Sequence, residues 1–344
     1  MRARIAVDAM GGDFGPGAAV RAACALSLDS DIEMVLVGDE GDLQELIGQE
    51  PYDPTRVTVR HASSWVKADD DPALAMRRKK HNSLAQAGRM VADGEADALV
   101  AGGNREACLL AVKKYFLQLP GVVPGFALAF SPQVEARGPD ALAVLVDVGA
   151  SEGGDLPALT DFAIMGAAYC REVARQDRPR VGLLAPAGDS GTHAVDGDEL
   201  SRTLAGLCGL EFVGEVPESE LLDGGADVVV CSGGIGRLVV ERLERQVAEA
   251  SLTDSPAESA SAQGPAGRRH LWNRRPWGRR GATARPVFDV GNYGGSPALG
   301  FSQVCLHLHR SSNEPAMRQA MLQAARLVRS EFGDLLRKVL VDGS

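Results

Sequence analysis

The chain has 344 residues, 45% hydrophobic but only 5% aromatic, with 40 glycines. Charged residues at 24% and uniformly short apolar runs exclude both a disordered chain and a transmembrane protein. Acidic side chains outnumber basic ones by 46 to 36, which argues against nonspecific nucleic-acid binding by the molecule as a whole.

The opening, MRARIAVDAMGGDFG, runs straight into a strand-like stretch without a signal peptide's apolar core, so a cytoplasmic protein is expected. Arg4–Asp8 reads as a strand, Ala18–Leu28 as a helix, and Glu33–Val37 and Arg56–Arg60 as strands. Helix Ser83–Ala92, strand Ala98–Ala101 and helix Arg105–Leu117 follow, then strands Phe126–Phe130 and Ala141–Val148. Leu159–Val173 reads as a helix, Arg180–Leu184 as a strand and Glu199–Cys208 as a helix. Strands Glu211–Val213 and Asp227–Cys231, helix Ile235–Ala248, strand Val304–His309 and helix Pro315–Leu340 complete the order. Such alternation predicts an α/β protein of three layers, with a doubly wound, mainly parallel sheet between helices. The reading is one domain over residues 1–344.

One segment breaks the pattern. Residues 251–285 begin Ser/Ala/Pro-rich and become strongly basic, with Trp272 and Trp277 among arginine pairs. This is read as an exposed, irregular excursion: a solvated loop, a docking segment for an acidic partner, or a peripheral membrane contact through residues 268–280. The six cysteines are scattered without a CxxC pair and mostly sit in apolar runs, which suits small buried hydrophobes. The six histidines show no metal-binding spacing, so no metal site is expected.

Chemistry is expected at the strand-to-helix turns, where free backbone N–H groups suit phosphate. Four glycine-rich turns qualify: Asp8 through Gly11, Gly12 and Asp13; Gly102-Gly103-Asn104; Asp147 to Asp155; and Ser232-Gly233-Gly234-Ile235-Gly236-Arg237. None is a Walker loop or a dinucleotide fingerprint. They are expected along one edge of the sheet. A basic run, Arg77-Arg78-Lys79-Lys80, precedes a helix start capped by Asn82 or Ser83. It suits either a phosphate, the acidic face of a partner protein, or plain solvation.

At these motifs the chain resembles the bacterial phosphate acyltransferases, the X protein of glycerolipid synthesis. IAVDAMGGDFGP resembles that family's opening, and DDDPALAMRRKKHNS its acidic-Pro…Arg-x-Lys-Lys…Ser segment. ADALVAGGN, LVDVGAS with DFAIMGAA, LLDGGADVVVCSGGIG, NYGGSPALG and the stretch through His309 continue the order over nearly the whole chain. The resemblance implies an isocitrate-dehydrogenase-like fold, a homodimer and no cofactor. It also implies a reaction in which an acyl-carrier-protein thioester and inorganic phosphate give acyl phosphate and free acyl carrier protein. Phosphate is itself the nucleophile, so the protein must position it and stabilise the developing oxyanion.

On that resemblance, Asn104 and His309 are the candidate catalytic residues. Asp8, Gly11, Gly12, Asp13, Lys79, Lys80, Gly102, Gly103, Gly233, Gly236 and Arg237 are the candidates for binding phosphate or substrate. The chain also departs from the family pattern. Arg105-Glu106 stand where the family has Thr-Gly, Ser151-Glu152-Gly153-Gly154 where it has Asn-Val-Asp-Cys, and Ala185 to Asp189 where it has Asn-Ile-Gly-Glu-Glu. Arg237 falls where it has an Asn, and His307-Leu308-His309-Arg310 where it has Lys-x-His-Gly. Two functions therefore stand side by side: an acyltransferase using phosphate, and a non-catalytic homologue that binds acyl carrier protein or partner enzymes.

Overall fold

The computed structural model describes residues 2–130, 142–151, 154–185, 195, 197–205, 207, 209–253 and 295–342. The first half runs β1 (Arg4–Asp8), α1 (Gly15–Asp29), β2 (Glu33–Gly38), α2 (Glu40–Ile47), β3 (Val57–His61), α3 (Pro72–Arg78) and α4 (Ser83–Ala92). It continues with β4 (Ala98–Gly102), α5 (Arg105–Tyr115), β5 (Gly125–Phe130) and β6 (Ala143–Val146). The second half has α6 (Leu156–Ala174), β7 (Arg180–Ala185), α7 (Gly197–Leu204), β8 (Glu211–Pro217), α8 (Glu218–Leu221), β9 (Val228–Val230) and α9 (Gly233–Thr253). Last come β10 (Ser296–Leu299), β11 (Val304–Leu308), α10 (Glu314–Arg329), α11 (Phe332–Arg337) and a π-helical turn, Lys338–Asp342.

Among the described residues, eleven strands form one sheet in the order β3-β2-β1-β4-β11-β10-β5-β6-β9-β7-β8. The central strands β4 and β11 are buried at every position, as expected where helices cover both faces. Alternate side chains feed two separate cores. Ile5 and Val7 of β1 and Ala98 and Val100 of β4 face α1, α6 and α10. Ala6, Leu99 and Ala101 face α4, α5 and α9 on the other side. This is the three-layer, doubly wound arrangement the alternation predicts.

Helix starts follow local chemistry. Asp39, Asp71, Asn82, Asn104, Asp155 and Asn313 each cap a helix, accepting from backbone N–H groups of its first turn.

The sheet is mainly parallel, but three adjacent pairings are antiparallel: β11 with β10, β10 with β5, and β5 with β6. Strands β3, β2, β1, β4 and β11 therefore point one way, and β6, β9, β7 and β8 point the other. Strand β10 and helices α2, α3 and α8 go beyond the sequence reading. The C-terminal helix expected over Pro315–Leu340 is broken at Ser330–Glu331, where Glu331 adopts a left-handed conformation (φ 53°). Helix α9 extends to Thr253, so the expected excursion begins in helix. The rest of the excursion, with Trp272 and Trp277, lies outside the described residues. Cys24, Cys108, Cys170, Cys231 and Cys305 are buried free thiols, and Cys208 lies outside the described residues. No helix among the described residues is long and apolar enough to cross a membrane.

Candidate active site

Because β1, β4 and β11 are parallel neighbours, the turns after them meet. A Cβ on Gly11 would collide with the Gly102 carbonyl oxygen. Gly103 lies at φ +99°, and a Cβ there would stand 2.8 Å from the Gly12 nitrogen. The two turns thus pack backbone against backbone, which only glycine permits. Arg310, just past β11, closes the third side. Its carbonyl accepts from the Asp13 N–H (2.7 Å), and its guanidinium reaches Asp13 at 2.9 Å and Asp69 at 3.0 Å.

Asp8 lies beneath this floor, buried, accepting from the Ser83 hydroxyl (2.6 Å) and the Met10 N–H (3.3 Å). Burial pushes its carboxyl up to about 6, against the lowering pull of those two donors. His307, also buried, directs Nε2 at the Gly103 carbonyl (3.3 Å), so Nε2 carries the proton and donates. Burial, then the Arg105 charge, pushes its pKa down to about 3.

Several candidate side chains are already engaged. The Asn104 carbonyl oxygen caps α5 through the Ala107 N–H (2.9 Å), and its amide donates to the Ala68 and Asp70 carbonyls (3.3 and 3.1 Å). That amide therefore tethers the 68–70 loop instead of facing an open anion position. The Lys79 ammonium binds Asp70 and the Trp65 carbonyl, so it points inward, while Lys80 is exposed. His309 is half-buried, and its Nδ1 closes a local turn with Ser311 (2.6 Å).

The other two turns form a second cluster. The buried Asp147 carboxylate accepts from the N–H groups of Phe126 (2.7 Å), Gly149 (3.2 Å), Ala150 (3.0 Å) and Ser151 (2.7 Å). The amides expected to cradle phosphate after β6 are thus filled by the chain's own anion. A Cβ on Gly233 would stand 2.6 Å from that carboxylate, and one on Gly236 would strike the Asp147 carbonyl, so these glycines admit the Asp147 turn.

The four turns do not share one edge, because the strands carrying them run in opposite directions. Helix α5 joins the two clusters. Arg105 donates to the Val148 carbonyl (3.2 Å), Lys113 to the Ala150 carbonyl (3.2 Å), and Arg237 stands 3.9 Å from Glu106. Arg237 accordingly meets the first turn of α5 at Glu106, not at Asn104. Its side chain is 54% exposed, so an anion can reach it. Arg310 and Lys113 escaped the sequence reading, since only the meeting of β11 and α5 with distant turns reveals them.

The fold superimposes on a phosphotransacetylase from Streptococcus pyogenes with a TM-score of 0.62 at 14% identity, covering 96% of this chain and 94% of that one. A branched-chain phosphotransacylase from Enterococcus faecalis gives 0.56 at 13% identity, covering 95% and 99%. At such identities the likeness concerns the fold.

Sequence comparison goes further: the chain belongs to the family described as "Fatty acid synthesis protein", which matches residues 3–334. It is 31% identical over 342 residues to a phosphate acyltransferase from Brevibacillus brevis, covering 98% of this chain and 97% of the relative. A phosphate acyltransferase from Shouchella clausii is 33% identical over 352 residues, covering 99% of both.

Proposed function

We propose that this protein is an acyltransferase that moves an acyl group from an acyl-carrier-protein thioester to inorganic phosphate. The product, an acyl phosphate, would enter phospholipid or specialised acyl metabolism. Full-length kinship with phosphate acyltransferases carries the reading. In the reaction a phosphate oxygen attacks the thioester carbon, a C–O bond forms, and the C–S bond breaks. The leaving thiolate then takes up a proton.

No nucleophilic side chain is required, and backbone N–H groups with cations can do the positioning. The floor of Gly11, Gly12, Gly102 and Gly103 leads into α1, whose N-terminus has no side-chain cap and no acidic residue in its first turn. Both features suit a phosphate dianion there. Arg237, exposed and paired with Glu106 at a long 3.9 Å, serves as the second anion contact. The reading carries with it a homodimer and a cytoplasmic setting with peripheral membrane contact.

One observation favours the alternative, a non-catalytic homologue that binds carrier protein. The Asn104 amide and the amides after β6 are all used inside the fold. The test is purified protein with acyl carrier protein loaded with a series of acyl groups, with and without phosphate. Phosphate-dependent release of carrier thiol, with hydroxylamine-trappable acyl phosphate, is the expected result. No release with any acyl group refutes acyl transfer and leaves the binding reading.

A further inference from the structure

Basic side chains gather on three consecutive helices. Within their bounds, helices α3, α4 and α5 carry Arg77, Arg78, Arg89, Arg105, Lys113 and Lys114 against Glu106, with the acids Asp71 and Asp93 at the caps of α3 and α4. This occurs in a chain with a formal charge of −10. Helix α5 packs against both α3 and α4, which brings the three basic helices side by side. Arg89 of α4 and Lys114 of α5 stand over the same Tyr115 ring, at 5.8 and 5.0 Å, which ties the two helices' cations together.

The surface also carries exposed apolar side chains. Leu110 is 38% exposed and Leu117, two residues past the end of α5, is 62% exposed. Lys113 and Lys114 lie between them in sequence, and all four residues are exposed. Apolar and cationic side chains thus alternate here, a pairing suited to a protein partner that offers both acidic and apolar groups.

We propose that the α3–α5 face docks an acidic helix of the carrier protein that delivers the acyl group; this rests on the acyl-transfer reading above. The face is continuous with the candidate site. Arg105 at the start of α5 holds the Val148 carbonyl, and Lys113 holds the Ala150 carbonyl of the same turn. Those two residues are about 12 Å apart along the helix axis, a span that a flexible thioester arm can bridge. A lipid surface fits less well. Ala107, Cys108, Ala111 and Val112 of α5 all face inward, which leaves too little apolar area to insert between lipids.

The experiment measures binding of fluorescently labelled, unacylated acyl carrier protein by anisotropy and stopped flow. The proteins compared are the full chain, the triple variant Arg77→Glu/Arg78→Glu/Lys114→Glu, and Leu117→Ser, with folding checked by circular dichroism. The triple variant should associate about tenfold more slowly at low salt, and the difference should shrink at high salt. Leu117→Ser should mainly speed dissociation. Carrier binding unchanged in folded variants overturns the proposal.

Two other outcomes overturn it as well. Loss of binding to phosphatidylglycerol vesicles, with carrier binding intact, would assign the face to a membrane. A shift in mass by light scattering on Leu117→Ser would assign it to a second copy of the chain. Failure of the reaction is separable. Carrier binding without phosphate-dependent thiol release sinks acyl transfer and leaves the docking face standing. Turnover of a small acyl-pantetheine thioester by a chain that ignores the carrier does the reverse.

Discussion

The buried His307 and Asp8 should make this protein's stability respond to acid in opposite directions. His307 is 4% exposed and pushed down to about 3, whereas an unfolded histidine titrates at about 6.5. Below pH 6.5 the unfolded chain therefore binds a proton that the folded chain refuses, and stability falls. Between pH 7 and 4.5 that loss spans about two pH units, or about 3 kcal/mol.

Asp8 works the other way. Its folded carboxyl sits at about 6 against a reference of 3.8. The folded chain takes up a proton first as pH falls through 6, and this restores about 2 kcal/mol by pH 4.5. Together the two groups leave a net change of about 1 kcal/mol.

Urea unfolding at pH 7 and 4.5 separates them, because differences between pH values cancel each variant's fixed cost. Asp8→Asn should steepen the acid loss by about 2 kcal/mol, and His307→Asn should remove about 3 kcal/mol of it. Asp53 and Asp70, whose partners hold them below the ordinary carboxylate range, contribute equally in every variant, so comparing variants removes their effect. An unchanged pH slope in His307→Asn would refute the claim that the fold keeps this ring neutral.

Gly11→Ala should lower the melting temperature and abolish phosphate-dependent turnover. Gly234→Ala, where a Cβ meets nothing within 4 Å, should leave melting unchanged or raise it. Asp147→Asn puts an amide donor against backbone N–H groups and should cost about 2–4 kcal/mol by urea titration. Asn104→Ala removes the α5 cap, which should cost about 1 kcal/mol, and should increase protease cleavage within residues 68–70. Arg237→Ala should shift stability by less than about 0.5 kcal/mol, as expected for an exposed pair. It should raise the KM for phosphate about tenfold or more, and an unchanged KM would remove Arg237 from the site.

Where the fold was legible, each element carried its own signal. Continuous Val/Ile/Leu/Ala runs announced β1, β2 and β4, and the period of α4 was read to its boundaries. Strand β10 is only four residues and contains Pro297, so no run marks it. Helix α3 hid inside a charge run, although Asp71 followed by Pro72 is a helix-start signature that could have exposed it. The break at Glu331 falls on a residue that is neither glycine nor proline, with the nearest glycine, Gly333, two positions later inside the next helix.

The glycine turns were found because their residue types are local facts. What occupies them was not legible. Whether amides after β6 meet a ligand or Asp147 depends on how a side chain folds back. Whether the turns share an edge depends on the antiparallel pairings around β10 and β5.

Those pairings also bear on how the chain is made. Strand β11 inserts between β4 and β10, and β10 alone connects β11 to β5. During synthesis, β4 has no partner on that flank until the ribosome has travelled from Gly102 to Val304, an interval on the order of 10 s or more. Nascent chains must keep both β4 and β5 from pairing with neighbours throughout that time. A product truncated before Ser296 would retain two interior strands as bare edges, and such edges recruit other chains into aggregates.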